Sequence, residues 1–175
     1  LLHKACEAIG MGLTMPAIYC NDVGIRMMQN KGVPLSEAWD WNPCGCVETN
    51  LSGRMKQYTD IADINMGEVI ELALNDGVSR TTGKRVSIST GDPNNFKTFD
   101  DFFNAVKAHI SYIVDVIVSG NQLLDYLSMN YRTVPVLSLG FPHCMEAGKD
   151  YSQPGAAKYT CGGGVITVGQ ADIVN

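Results

Sequence analysis

The stretch Cys44-Gly45-Cys46-Val47-Glu48 puts two thiols one residue apart and a carboxylate two positions further on. As a metal site it is weak. Structural zinc sites separate their paired cysteines by two to four residues and need a second pair or histidines. His3, Cys6, His143 and Cys144 supply no second tight pair. Cys44 reads as a small, inert, apolar side chain. Cys46 has an acidic neighbour. In an extended segment residues i and i+2 share a face, so Cys46 and Glu48 are expected to face one cavity. A carboxylate disfavours a nearby thiolate and raises the thiol pKa, which is a poor way to make an anionic nucleophile. It suits a thiol whose task needs the neutral S–H. Hydrogen-atom transfer is such a task, with the carboxylate serving as acid or base toward the substrate.

The elements that must carry this loop can be read from the rest of the chain. Its 175 residues, 45% of them hydrophobic, suffice for one domain with a real core. The net charge of −5 comes without a lysine or arginine cluster, so no footprint for nucleic acid or an anionic membrane is offered. The longest apolar run, near Ile110–Val118, is interrupted by Asp115 and falls short of the roughly 20 residues of a membrane span. No export signal opens the chain, so six cysteines in a chain of this size read as reduced cytosolic thiols rather than disulfides. Leu1 begins inside a helix-like pattern and Asn175 closes without a charged tail, so an internal piece of a longer chain is expected.

Leu1–Gly10 reads as the end of a helix, and 14–20 as extended around Pro16. Asp22 is expected to cap a helix reaching about Lys31, and Leu35–Trp39 forms a helical turn. Asn42–Arg54, with Pro43, Gly45 and Gly53, reads as a loop. A helix is expected over Ala62–Asn75, then a polar surface excursion over Val78–Lys97. Thr98 and Asp101 form a capping box for a long helix to about Asn130. Its buried stripe would be Phe102, Phe103, Val106, Ile110, Ile113 and Ile117. Val134–Leu139 reads as a buried apolar run, and Lys158–Val168 as strand formers with three glycines. Long helices alternating with short apolar runs indicate an α/β fold.

The sequence around Cys46 resembles the glycyl radical enzymes of the pyruvate formate-lyase superfamily. The resemblance rests on Gly45-Cys46-Val47-Glu48, Gly53-Arg54, Asn65-Met66 and the run from Glu71 to Val78. It continues through the segments 90–103, 134–159 and 169–172, in the family's order. It implies a fragment of a ten-stranded α/β barrel wrapped in long helices, one catalytic domain whose C-terminal glycyl radical loop lies outside 1–175. Cys46 would be the thiyl radical carrier and Glu48 the acid or base beside it. Pyruvate formate-lyase itself uses two adjacent cysteines. The separating Gly45 and following Glu48 point instead to the branch of diol dehydratases, choline lyase, hydroxyproline dehydratase and arylacetate decarboxylase.

Polyol dehydratases and choline lyase carry an aromatic-His-Asp triplet fourteen residues beyond the radical cysteine, and its Asp handles a substrate hydroxyl. Here the triplet is Tyr58-Thr59-Asp60, which keeps the Asp and lacks the His; Thr49 also replaces a common proline. Asp60 is thus a candidate substrate-binding residue. It equally suits a cap for the helix expected near Ala62, and both roles can hold. The triple glycine Gly162–Gly164 lacks the family's R-V-x-G-Y radical loop and reads as a close backbone approach at a strand. Glu146 and Lys149 read as a solvated helix face, His143 and Cys144 as structural. Asn50, Tyr58 and Tyr159 are unselected candidates for lining a pocket.

The resemblance further implies no bound cofactor, a radical installed by an S-adenosylmethionine/iron–sulfur activase, a small-molecule substrate, a homodimer in full length and a cytoplasmic anaerobic setting. The expected chemistry is a radical C–O or C–X lyase acting on a small hydroxylated substrate, with Glu48 and Asp60 as the acid/base pair. The alternatives are an arylacetate decarboxylase, a formate acetyltransferase-like C–C lyase, or a non-enzymatic α/β binding module.

Overall fold

The computed structural model describes the chain except Thr14, Pro16, Cys46, Val47 and Asn175, and except the side chains of Tyr58, Thr59, Asp172 and Val174. The chain divides into two compact units, Leu1–Ser52 and Gly53–Asn175.

In the first unit, α1 (Leu2–Gly10) is followed by 11–20, whose described residues are irregular, and by α2 (Asn21–Asn30) and α3 (Leu35–Ala38). Cys20, not Asp22, occupies the N-cap of α2 and gives no side-chain cap bond. Asp22 instead lies in the first turn, where its charge complements the positive helix end. The stretch expected to be a loop is a β-hairpin. β1 (Trp41–Cys44) pairs antiparallel with β2 (Glu48–Leu51), Trp41 opposite Leu51 and Cys44 opposite Glu48. Pro43 and Gly45 hide the pairing from a reading of local breakers: Pro43 sits in a strand with one partner among the described residues, so its missing N–H can face away from the ladder. Trp41 fixes the hairpin to α2. Its indole lies on Gly24, where a Cβ would fall 2.2 Å from the ring, and its Nε1 donates to Thr49 Oγ1 at 2.7 Å. A side chain at Gly24 would lever the hairpin off the helix.

In the second unit, β3 (Met55–Asn65) runs straight into α4 (Met66–Leu74). The helix expected from Ala62 starts four residues later, because Asn65 is the cap: its Oδ1 accepts from the N–H groups of Gly67 and Glu68. Asp60, inside β3, caps nothing. A 3₁₀ turn (Pro93–Asn95) precedes α5 (Phe99–Tyr131), which opens on the expected Thr98/Asp101 capping box. Then come α6 (Pro135–Leu139), α7 (Pro142–Ala147), β4 (Tyr159–Val168) and α8 (Gln170–Val174). β4 pairs parallel with β3, and among the described residues each has only this one partner, leaving an open outer edge on both.

The core joins strand to helices. Ile64, Val69, Ala73, Ala105 and Val106 are buried, with Phe102, Ile110, Ile113 and Ile117 of the expected stripe packed against them. Phe103 departs from that stripe; it is 45% exposed and stacks on Phe99. By length and composition alone α5 could cross a membrane, its most apolar window reaching a mean hydropathy of 1.2, more than the interrupted run at 110–118 suggests. Its N-terminal half is instead a core helix. The run 134–139 is not buried: it forms α6, with Val136 and Leu139 exposed and Ser138 buried. Ser138 Oγ, Ser152 and the Val134 N–H all bond the Asp150 carboxylate. Those bonds outweigh the burial that pushes the other way and hold its pKa down to about 2.

The excursion after α4 is anchored rather than loose. Asp76 Oδ1 accepts from Ser89 Oγ and the N–H groups of Thr90 and Gly91, and Oδ2 pairs with Arg85 at 2.9 Å. His109 of α5, fully buried, lies 2.7 Å from Ser87 Oγ through Nδ1 and 3.1 Å from Thr90 Oγ1 through Nε2. Burial pushes its pKa below 6.5, partly offset by the nearby Asp76 charge. Above pH 6.5 the ring is neutral folded and unfolded, and its contribution is complete. As pH falls below 6.5 the unfolded chain takes up a proton that the folded chain resists, so stability declines until the lower folded pKa is passed. Chemical denaturation of wild type and His109→Gln between about pH 7 and 5 should show a decline in wild type that the variant loses.

Candidate active site

The register Cys44 opposite Glu48 leaves three residues to join the strands. Cys46 is one of them and lies outside the described residues, so its expected common face with Glu48 is not addressed. Glu48, partly buried at the start of β2, is described. Its carboxylate folds back over the connection: a Cβ on Gly45 would fall 2.6 Å from Glu48 Oε2 and 3.0 Å from Oε1. Gly45 also has φ +56°, where L side chains are disfavoured. The glycine between the cysteines therefore admits the carboxylate next to the residue preceding Cys46. Gly45→Ala in the full-length protein should displace Glu48 and lower kcat at least about tenfold, with the hairpin retained; steady-state kinetics with circular dichroism checks this.

Asp60 lies in the second unit, and the two sites are each described within their own unit. The parallel register slips around it. Tyr58 faces Gly163 and Ala62 faces Val165, so β3 carries two more residues than β4 across this interval. Such bulges re-aim side chains. Ile61 fills the space that Gly163 leaves, where a Cβ would meet its Cδ1 at 2.4 Å, so the close approach expected of the triple glycine is present at Gly163. Asp60 is exposed and lines a cleft of about 420 Å³ with Gln57, Asn121, Asp125, Ser128 and Arg132.

None of these cleft companions was singled out from sequence, although a signal exists. Asn121, Asp125, Ser128 and Arg132 recur at i, i+4, i+7 and i+11, a polar stripe on α5 that ends at its C-cap. Asn50 sits on β2 opposite Asn42, and the Tyr159 ring lies under the Lys158 ammonium at 5.5 Å. His143 is 3.3 Å from the exposed Glu146, and Lys149 donates to the Pro154 carbonyl. Cys144 is buried, and burial together with Asp150 pushes its thiol pKa up despite Lys56, which keeps it inert. The five described cysteines are all free thiols.

The family model described as pyruvate formate lyase-like matches residues 1–175. The chain belongs to this family. It is 31% identical over 170 residues to the trans-4-hydroxy-L-proline dehydratase of Clostridioides difficile, covering 95% of this chain and 21% of that protein. To the (2S)-3-sulfopropanediol dehydratase of Klebsiella oxytoca it is 32% identical over 156 residues, 89% of this chain and 19% of that one. The crystal structure of the C. difficile hydroxyproline dehydratase with its substrate bound superposes with a TM-score of 0.80 at 29% identity, over 93% of this chain and 21% of that chain. The pyruvate formate lyase-like chain thus spans about a fifth of the length of these relatives. Its α/β fold is a piece of the glycyl radical enzyme barrel. The relatives are named as enzymes.

Proposed function

We propose that the full-length protein is a radical lyase that removes water or another leaving group from a small hydroxylated substrate, with Cys46 as hydrogen-atom carrier and Glu48 as its acid/base partner. The observation that carries this reading is the Glu48 carboxylate laid against Gly45, in a chain of this family. A backbone glycine elsewhere in the full-length protein, activated by an S-adenosylmethionine/iron–sulfur enzyme, supplies the unpaired electron to Cys46. In a vicinal diol the sulfur takes H• from one hydroxyl-bearing carbon. Glu48 accepts that hydroxyl's proton, and the group on the adjacent carbon leaves, protonated by Asp60 when it is a hydroxyl. The product radical then takes the hydrogen back from the Cys46 thiol, so the carrier is regenerated and no external oxidant or reductant is consumed.

Hydroxylated substrates are favoured over arylacetates by the Asp60 cleft, whose described lining sets six polar residues beside Ile61 and Leu124 and holds no aromatic ring. A homodimer in the cytoplasm, acting on a small molecule without nucleic acid or membrane, completes the proposal. The test is anaerobic co-expression of the full-length protein with its activase and a panel of glycerol, trans-4-hydroxy-L-proline, 3-sulfopropanediol and 4-hydroxyphenylacetate. Loss of water from a hydroxylated member is expected. Decarboxylation of 4-hydroxyphenylacetate alone would overturn the reading.

A further inference from the structure

Gln57 stands between two register slips of opposite sense in the β3–β4 pair. Just before it, Lys56 faces Thr160 and Gln57 faces Gly162, so β4 carries one extra residue, Cys161. Just after it, β3 carries two extra residues between Tyr58 and Ala62, in the stretch that holds Asp60. A strand irregular on both sides can let its bulge migrate, and a shift of one residue turns a side chain to the other face. One side chain from 94 residues further along the chain opposes this. The Tyr151 hydroxyl accepts the Gln57 N–H at 3.2 Å and donates to the Gln57 carbonyl at the longer distance of 3.5 Å. A single phenol thus serves both backbone groups of the residue between the slips.

Tyr151 is itself held from several sides. Its N–H donates to Ser138 Oγ at 2.8 Å, its ring packs on Phe141 with centroids 4.6 Å apart, and the Lys56 ammonium lies 5.8 Å from its ring centroid. Lys56 also donates to the Ser152 carbonyl at 3.0 Å, so two consecutive residues of β3 are tied to two consecutive residues beyond α7. The Asp150 carboxylate locks that segment to Val134 and Ser138. Burial pushes the Tyr151 pKa above 10, offset in part by the Gln57 backbone. The hydroxyl is therefore protonated at neutral pH and keeps both its donor and its acceptor. On the far side of the bulge, Ile61 fills the space over Gly163.

We infer that Tyr151 is a positioning residue for Asp60. It pins β3 at Gln57 and, with the Ile61–Gly163 contact, fixes the bulge between them, so that the Asp60 carboxylate keeps one aim. Tyr151 acts through the Gln57 backbone and touches no reacting atom. The inference rests on the role proposed above for Asp60.

The test is a double-mutant cycle of Tyr151→Phe and Asp60→Asn in the activated full-length protein. The substrate is whichever of glycerol, trans-4-hydroxy-L-proline and 3-sulfopropanediol it dehydrates, with product counted over hours so that slow variants are read. Phenylalanine keeps the ring against Phe141 and Lys56 and deletes the hydroxyl alone. Tyr151→Phe should lower kcat at least about tenfold with KM within about twofold of wild type, since a misplacement of about 1 Å can cost about 10²-fold. In an Asp60→Asn background the same substitution should cost less than about twofold, because residues that act through one group are not additive. An equal loss in both backgrounds, a Tyr151→Phe enzyme as fast as wild type, or one that has lost protease resistance would overturn the inference and leave the role of Asp60 standing. Asp60→Asn at the wild-type rate would instead overturn the role of Asp60, and the inference with it.

Discussion

Cys46→Ala in the activated full-length protein should abolish turnover while the glycyl radical signal in electron paramagnetic resonance persists. The two readouts separate because the radical is installed on another residue and only its transfer to substrate needs the thiol. Removing the residue that bonds the substrate costs on the order of 10⁶ in kcat in other enzymes of covalent mechanism, so a residual rate near background is expected. Cys46→Ser should fail equally, since an alcohol O–H is too strong to serve as the carrier. Cys44→Ala is the matched control. Cys44 lies in β1, paired opposite Glu48, and is assigned no role in the transfer; its loss should leave most of the rate. Glu48→Gln should fall between these limits, by about 10²–10⁴, the span of a positioned acid or base.

Gly77→Ala should be the most damaging single substitution for the fold. Gly77 follows α4, its N–H closes the helix onto the Leu72 carbonyl, and its φ is +76°. A Cβ there would stand 2.1 Å from the Ile88 carbonyl oxygen and 2.8 Å from that of Ser87. Both are backbone, so the whole anchored excursion would have to shift, along with its contacts to His109 and Asp76. Left-handed backbone costs roughly 1–2 kcal/mol for an alanine, and forced overpacking about 1–3 kcal/mol more. Gly83 isolates the first contribution: it has φ +66° but open space around its Cβ position. Gly83→Ala should therefore cost about 1 kcal/mol and leave yield and protease resistance near wild type. Gly77→Ala should lose both.

What could be read from sequence, and what could not, follows from the range of the interactions. The Thr98/Asp101 box and the long helix behind it are local and were legible. Residue type and spacing were enough to single out Cys46 and Glu48, and Cys46 lies outside the described residues. The hairpin carrying them was hidden, because its ladder and the Trp41–Gly24 contact join residues distant in sequence, while Pro43 and Gly45 signal a break. Asp60 and Asn65 are both capping types. Only the pairing of β3 with β4, which keeps the chain extended to Asn65, decides that Asn65 caps α4. The apolar letters of 134–139 suggested burial, yet Val136, Leu137 and Leu139 are exposed and the serine turns in to Asp150. His109 gave no local sign of its role, because Ser87 and Thr90 reach it only after the excursion closes.

In the proposed mechanism Cys46 breaks a C–H bond of the substrate before the leaving group departs. The direct measurement uses a substrate of the activated full-length enzyme carrying two deuterium atoms on the hydroxyl-bearing carbon to be attacked. Mass spectrometry then locates the deuterium removed from that carbon. Its return to the adjacent carbon of the product, with no product formed by Cys46→Ala, is the predicted result. Product whose adjacent carbon has gained only solvent hydrogen, or that forms equally well without the Cys46 thiol, would contradict it.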